Sequence, residues 1–134
     1  MNSAVAEKAG LEERVKLAEH IADEIETRII RSFHHELKVA AKGKHDFATE
    51  LDKANETFAQ NLVHESFSGD YFFGEEFGGS GTEGSTYEWI VDPLDGTNNF
   101  VRGLPLAGFQ LAIVNNGEIV HSVVRRPFTQ ERYH

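Results

Sequence analysis

The chain has 134 residues, no cysteine and a formal net charge of −9. That length bounds it to one domain with a core of its own, and the missing cysteines exclude a disulfide framework. The acidic balance excludes nucleic acid and anionic membrane as main partners. With no long apolar run and no charged leader, the sequence predicts a soluble, cytoplasmic protein.

Residues 3 to about 40 carry a helical period. Leu11, Val15, Ala18, Ala22, Ile25, Ile29, Phe33 and Leu37 recur at steps of three and four, which makes one apolar stripe. Gly10 separates a frayed start from the main helix. His34 and His35 are adjacent, so a helix turns them apart and they make a poor metal pair. This helix reads as scaffold. Gly43 should break it.

A second helix is expected to start at Thr49, which precedes Asp52 by a capping-box spacing. It runs to about Phe67–Asp70 with Leu51, Ala54, Phe58 and Leu62 on its apolar face. On local grounds Thr49 is a cap and Asp52 a first-turn acid that favours the helix dipole. Tyr71-Phe72-Phe73-Gly74 reads as a short aromatic strand that ends in Glu75 and Glu76. Phe77 to Tyr87, rich in glycine and serine, reads as a flexible connector.

Trp89-Ile90-Val91 is a β-branched, apolar run, and it reads as a buried strand. Pro93 restricts Asp92 to an extended conformation and should end that strand. Asp92 and Asp95 then stand three apart, followed by Gly96 and Thr97. A turn or helix start there leaves backbone N–H groups pointing outward, which suits an anion. Two acids beside an anion cradle predict a divalent cation that bridges protein and phosphate, and hard oxygen ligands favour Mg²⁺. Beyond them, Leu106–Val114 and Glu118–Val124 read as strands joined at Asn116-Gly117, a strong type I′ hairpin signal.

The run Asp92-Pro93-Leu94-Asp95-Gly96-Thr97-Asn98-Asn99-Phe100 resembles the signature of the inositol monophosphatase family of Mg²⁺-dependent phosphomonoesterases. Asp46-Phe47-Ala48-Thr49-Glu50-Leu51-Asp52 is similar to the family's upstream D-x-x-T-x-x-D element. The resemblance implies that Glu75, Asp92, the Leu94 carbonyl and Asp95 hold Mg²⁺, with Glu76 just behind them. It implies that Asp52 and Thr97 form the catalytic pair that orients and deprotonates water, and that Gly96 and Thr97 bind the substrate phosphate. The implied reaction is hydrolysis of a phosphate monoester, such as inositol monophosphate or a similar sugar phosphate, by direct attack of water. Fructose 1,6-bisphosphate, a nucleotide 3′-phosphate and histidinol phosphate are alternatives within the family.

The implied fold is α+β, with N-terminal helices packed on an antiparallel sheet. That is the front half of the inositol monophosphatase and fructose bisphosphatase-like sandwich. The resemblance spans residues 1–134 as an N-terminal half. The Trp-Asp element, which supplies a further aspartate in the family, has no counterpart here, since Trp89 is the one tryptophan. Arg125-Arg126 departs from the aromatic-acid pair that relatives often carry. The chain alone is therefore expected to be a weak enzyme, or a non-catalytic metal- or partner-binding module. An apolar sheet face bearing Ile113, Val120, Val123 and Val124 should make it a homo-oligomer.

Overall fold

A computed structural model describes the backbone of residues 3–38, 44–95, 108–126 and 131–133, with side chains over 9–31, 50–92 and 108–126. Two helices, α1 (Ser3–Lys38) and α2 (Lys44–Ser66), precede six strands: β1 (Tyr71–Gly74), β2 (Gly78–Ser80), β3 (Tyr87–Asp95), β4 (Gly108–Asn115), β5 (Glu118–Arg126) and β6 (Glu131–Tyr133). The strands form one sheet in the order β2-β1-β3-β4-β5-β6, and both helices lie against one face of it.

The α1 stripe packs as its period demands. Ala18, Ile21, Ala22, Ile25 and Ile29 are fully buried, and the helix runs through Gly10 without a break. Phe33 and Leu37 carry side chains outside the described residues. Opposite the stripe, Trp89 and Val91 of β3, Phe109, Leu111 and Ile113 of β4 and Val123 of β5 complete the core. Burying a large aliphatic or aromatic side chain of this kind stabilises by about 1.5–3 kcal/mol. Strand alternation sends the intervening residues to the other face. Phe73 and Ile90 remain 46% and 45% exposed there.

Two polar locks set how α1 sits. Asp70, buried just before β1, accepts both Arg14 Nε (2.7 Å) and Arg14 Nη2 (2.8 Å). The Trp89 indole N–H donates to the same carboxylate at 2.9 Å. The Arg14 guanidinium also lies over the rings of Phe67 and Tyr87, 4.2 and 3.8 Å from their centroids. One arginine thus ties α1 to β1 and β3 through charge, hydrogen bonds and ring contact. At the far side, Arg125 of β5 is buried and pairs with Glu19 and Asp23 of α1, and His121 also meets Glu19.

Helices on a sheet is the expected architecture, but the sheet is mixed rather than wholly antiparallel. β1 and β3 pair in parallel, with Phe73 beside Ile90 and Gly74 beside Val91. A parallel pair needs a long return connection, and residues 75–86 provide it. That connector is not featureless, because it contains β2, antiparallel to β1. Its glycines hid it from propensity. The Tyr71 ring lies where a side chain at Gly79 would stand.

Four further expectations change. Helix α2 begins at Lys44, so Thr49 lies inside it rather than capping it. Its deeply buried strip is Asp52, Asn55, Glu56, Ala59 and Val63, while Ala54 is exposed. β3 does not stop at Asp92 but continues to Asp95 through a bulge: Asp92 pairs with Gln110 and Asp95 with Gly108. Proline cannot donate to a ladder, and a bulge accommodates it. Finally, Ile113 and Val123 belong to the core, while Val124 lies on the open face as expected, joined there by Phe73, Ile90 and Ala112. The Asn116-Gly117 hairpin forms as expected, with positive φ at both residues (51° and 83°).

Candidate active site

The parallel pairing of β1 and β3 decides where the acidic residues fall. Two parallel strands end at the same edge of a sheet, and ligands of such sheets bind beyond the carboxyl ends of the strands. Gly74 lies opposite Val91, so one residue further along each strand Glu75 comes level with Asp92. An antiparallel pair would have put them at opposite edges. Both residues line a cavity of about 360 Å³ on the open face of the sheet, with Phe73, Ile90, Gln110 and Val124 forming much of its wall.

Helix α2 brings a third carboxylate to that edge. Asp52 is only 5% exposed. Burial pushes its carboxyl from the ordinary 3.8 up to about 8, helped by a hydrogen bond with the Glu76 side chain and by the negative charges of Glu76, Asp92 and Glu75. Removing a carboxylate from water and placing like charges beside it both favour the protonated form. A strongly shifted acid beside other carboxylates is a functional-site signal with a physical cause.

The expected residues thus divide. Asp52, Glu75, Glu76 and Asp92 come to one edge, close enough for the last three to act on the first. Leu94 and Asp95 lie in the bulged end of β3, but their side chains lie outside the described residues. Gly96 and Thr97 lie outside them altogether. Among the described residues, no three acidic or histidine side chains converge tightly enough to hold a cation unaided.

The donors present nonetheless suit a hard divalent ion. They are all carboxylate oxygens, which favour Mg²⁺ or Mn²⁺ over softer metals. Asp52 Oδ1 is buried and has no hydrogen-bond partner among the described residues. Four acids with a buried orphan oxygen are an excess of negative charge that a cation would offset.

Two buried polar residues beside the site escaped the sequence reading. Asn55 and Glu56 are both fully buried on the face of α2 that carries Asp52. Neither amide atom of Asn55 has a partner among the described residues. Glu56 accepts from the backbone N–H groups of Glu76 and Phe77, each at 2.8 Å. The signal was available as spacing: Asp52, Asn55, Glu56, Ala59 and Val63 fall at helical intervals, and the polar identity of three of them disguised a buried face.

Comparison with known proteins adds the lineage. The inositol monophosphatase family model matches residues 10–134. The "Nus factor SuhB" of Pseudomonas aeruginosa is 37% identical over 100 residues, 72% of this chain and 36% of that protein. An inositol-1-monophosphatase of Mesorhizobium japonicum is 37% identical over 97 residues, with the same two coverages. A histidinol-phosphatase of Mycobacterium tuberculosis is 38% identical over 98 residues, 73% of this chain and 37% of that one. Among solved structures, inositol monophosphatase II from Staphylococcus aureus superposes with a TM-score of 0.78 at 26% identity, covering 91% of this chain and 44% of its own. The chain therefore spans a little over a third of the length of these curated relatives. On the family match and the shared fold, it belongs to the inositol monophosphatase family.

Proposed function

We propose that this chain carries the catalytic front of a Mg²⁺-dependent phosphomonoesterase that acts on inositol monophosphate or a similar sugar phosphate. The observation that carries this reading is the parallel β1–β3 register, which sets Glu75 level with Asp92 at the edge where α2 delivers Asp52. Relatives named for inositol phosphate, fructose 1,6-bisphosphate and histidinol phosphate support the substrate class.

In this reading Glu75, Asp92, the Leu94 carbonyl and Asp95 hold the cation. When bound, the ion supplies a lowered pKa for water and charge to offset the phosphate. Asp52 accepts the proton of the attacking water and the Thr97 hydroxyl orients it. A proton acceptor works best with a pKa near the working pH, and burial beside Glu76 moves Asp52 in that direction. The backbone N–H groups at Gly96 and Thr97 take the phosphate oxygens.

Phosphate release from a panel of monoesters tests the proposal, run on this chain and on a version extended to the length of the relatives. The extended version should release phosphate only with Mg²⁺ present, and the short chain should be slower by about 10²–10³ if one preorganised charge-stabilising group is missing from it. An extended version inactive on every monoester refutes the reading.

The open sheet face supports a second proposal, that the 134-residue chain associates with itself. Phe73 and Ile90 stand about half exposed beside an apolar cavity, and contiguous apolar surface drives association. Sedimentation should find a dimer or larger assembly, and a clean monomer across a wide concentration range overturns it.

A further inference from the structure

We propose that Glu56 is a positioning residue that clamps the Glu75–Glu76 turn and thereby sets how Glu75 meets Asp92. The inference rests on the reading of the site as a cation site, and it adds a residue that takes no part in the chemistry. Glu56 is fully buried in the middle of α2. Its two carboxylate oxygens are both occupied, one by the Glu76 N–H and the other by the Phe77 N–H, each at 2.8 Å. A carboxylate that accepts two successive backbone N–H groups holds that turn in one conformation, and charge-assisted bonds of this sort are the strong ones.

The neighbouring backbone is built around the clamp. A side chain at Gly74 would overlap the Glu56 carboxyl, colliding with its carbon and both oxygens. Glycine at the end of β1 therefore admits the carboxylate to the two N–H groups just beyond. Glu76 and Phe77 are themselves exposed, so little else on the solvent side restrains the turn. One turn of helix earlier, on the same face of α2, Asp52 bonds to the Glu76 side chain. Helix α2 thus grips Glu76 at its backbone through Glu56 and at its carboxylate through Asp52. Glu75 lies between Gly74 and Glu76, so fixing those neighbours fixes Glu75.

Glu56→Gln tests the clamp, because a side-chain amide can accept one of the two N–H groups but presents its own donor to the other. Two readouts are taken on the full 134-residue chain: hydrogen exchange of the Glu76 and Phe77 amides without metal, and Mn²⁺ affinity by calorimetry. Exchange at these two amides should quicken at least tenfold, more than elsewhere in the sheet. Mn²⁺ affinity should fall about 10- to 100-fold, as when an outer partner of a metal ligand is removed. Val63→Ala, on the same face of α2 but away from the turn, serves as the control for general destabilisation. It should leave the Mn²⁺ affinity unchanged.

If Glu56→Gln does not fold, Glu56→Asp carries the test, since it keeps the charge but withdraws the carboxylate by one methylene. Unchanged protection of the two amides overturns the clamp. Unchanged Mn²⁺ affinity beside quickened exchange, or an equal loss in Val63→Ala, overturns the positioning role. A wild-type chain that binds no Mn²⁺ refutes the cation reading and the positioning role that rests on it, while exchange still decides the clamp by itself.

Discussion

Asp52 gives the sharpest prediction about pH. Its carboxyl titrates near 8 in the fold against an ordinary 3.8. Below about pH 4 both folded and unfolded chains hold the proton, so the site costs nothing. Between pH 4 and 8 the folded chain keeps a proton that the unfolded chain has released. Stability therefore falls as pH rises, by up to about 1.4 kcal/mol per unit, and the penalty is complete above pH 8. Converted at that rate, the whole shift is on the order of 6 kcal/mol. Glu75 and Glu76 are exposed to water, which screens their share, so about 2–3 kcal/mol should be measurable. In a chain of this size that is roughly 10 °C in melting temperature. Thermal unfolding is followed at pH 5 and pH 8.5 with chelator present, for the wild type and for Asp52→Asn. The asparagine keeps a hydrogen bond to Glu76 but cannot ionise. The wild type should lose about 10 °C more than the variant between the two pH values, and Mg²⁺ should restore most of that loss at pH 8.5. Parallel pH dependence in the two proteins refutes the reasoning, because it means that Asp52 does not bear the charge crowding.

Asp70→Asn breaks a buried ion pair with Arg14 and weakens the Trp89 bond, so chemical denaturation should show a loss of about 3–5 kcal/mol. A loss under 1 kcal/mol contradicts the lock assigned to that aspartate. Gly117→Ala places a side chain at φ 83° and should cost about 1 kcal/mol by the same assay, with the metal response unaltered.

Much of the fold was legible because its signals are local. The α1 stripe, the alternation in β4 and β5 and the Asn116-Gly117 turn each depend on residues close in sequence, and each appears where expected. What stayed hidden depends on distant partners. Nothing within Tyr71–Gly74 states that it pairs in parallel with β3, yet that pairing is what sets Glu75 beside Asp92. Strand β2 has no apolar signal of its own: it pairs with β1, and the Tyr71 ring lies over its Gly79. The buried face of α2 gave no apolar signal because Asp52, Asn55 and Glu56 are polar. Their burial makes sense only once the Glu76 and Phe77 amides are known to meet Glu56. The acidic residues were recognisable from motif and order, whereas the means of holding them together was not.

The central claim is that Glu75 and Asp92, aligned by the parallel register of β1 and β3, act on one divalent cation. A double-mutant cycle of Mg²⁺ binding tests it directly, comparing the wild type, Glu75→Gln, Asp92→Asn and the double variant by calorimetry. Two residues that share an ion are not independent, so removing the second should cost little once the first is gone. We expect each single variant to lose most of the binding and the double variant to lose scarcely more. Strictly additive losses, or a wild-type chain with no Mg²⁺ affinity at millimolar concentrations, contradict the account.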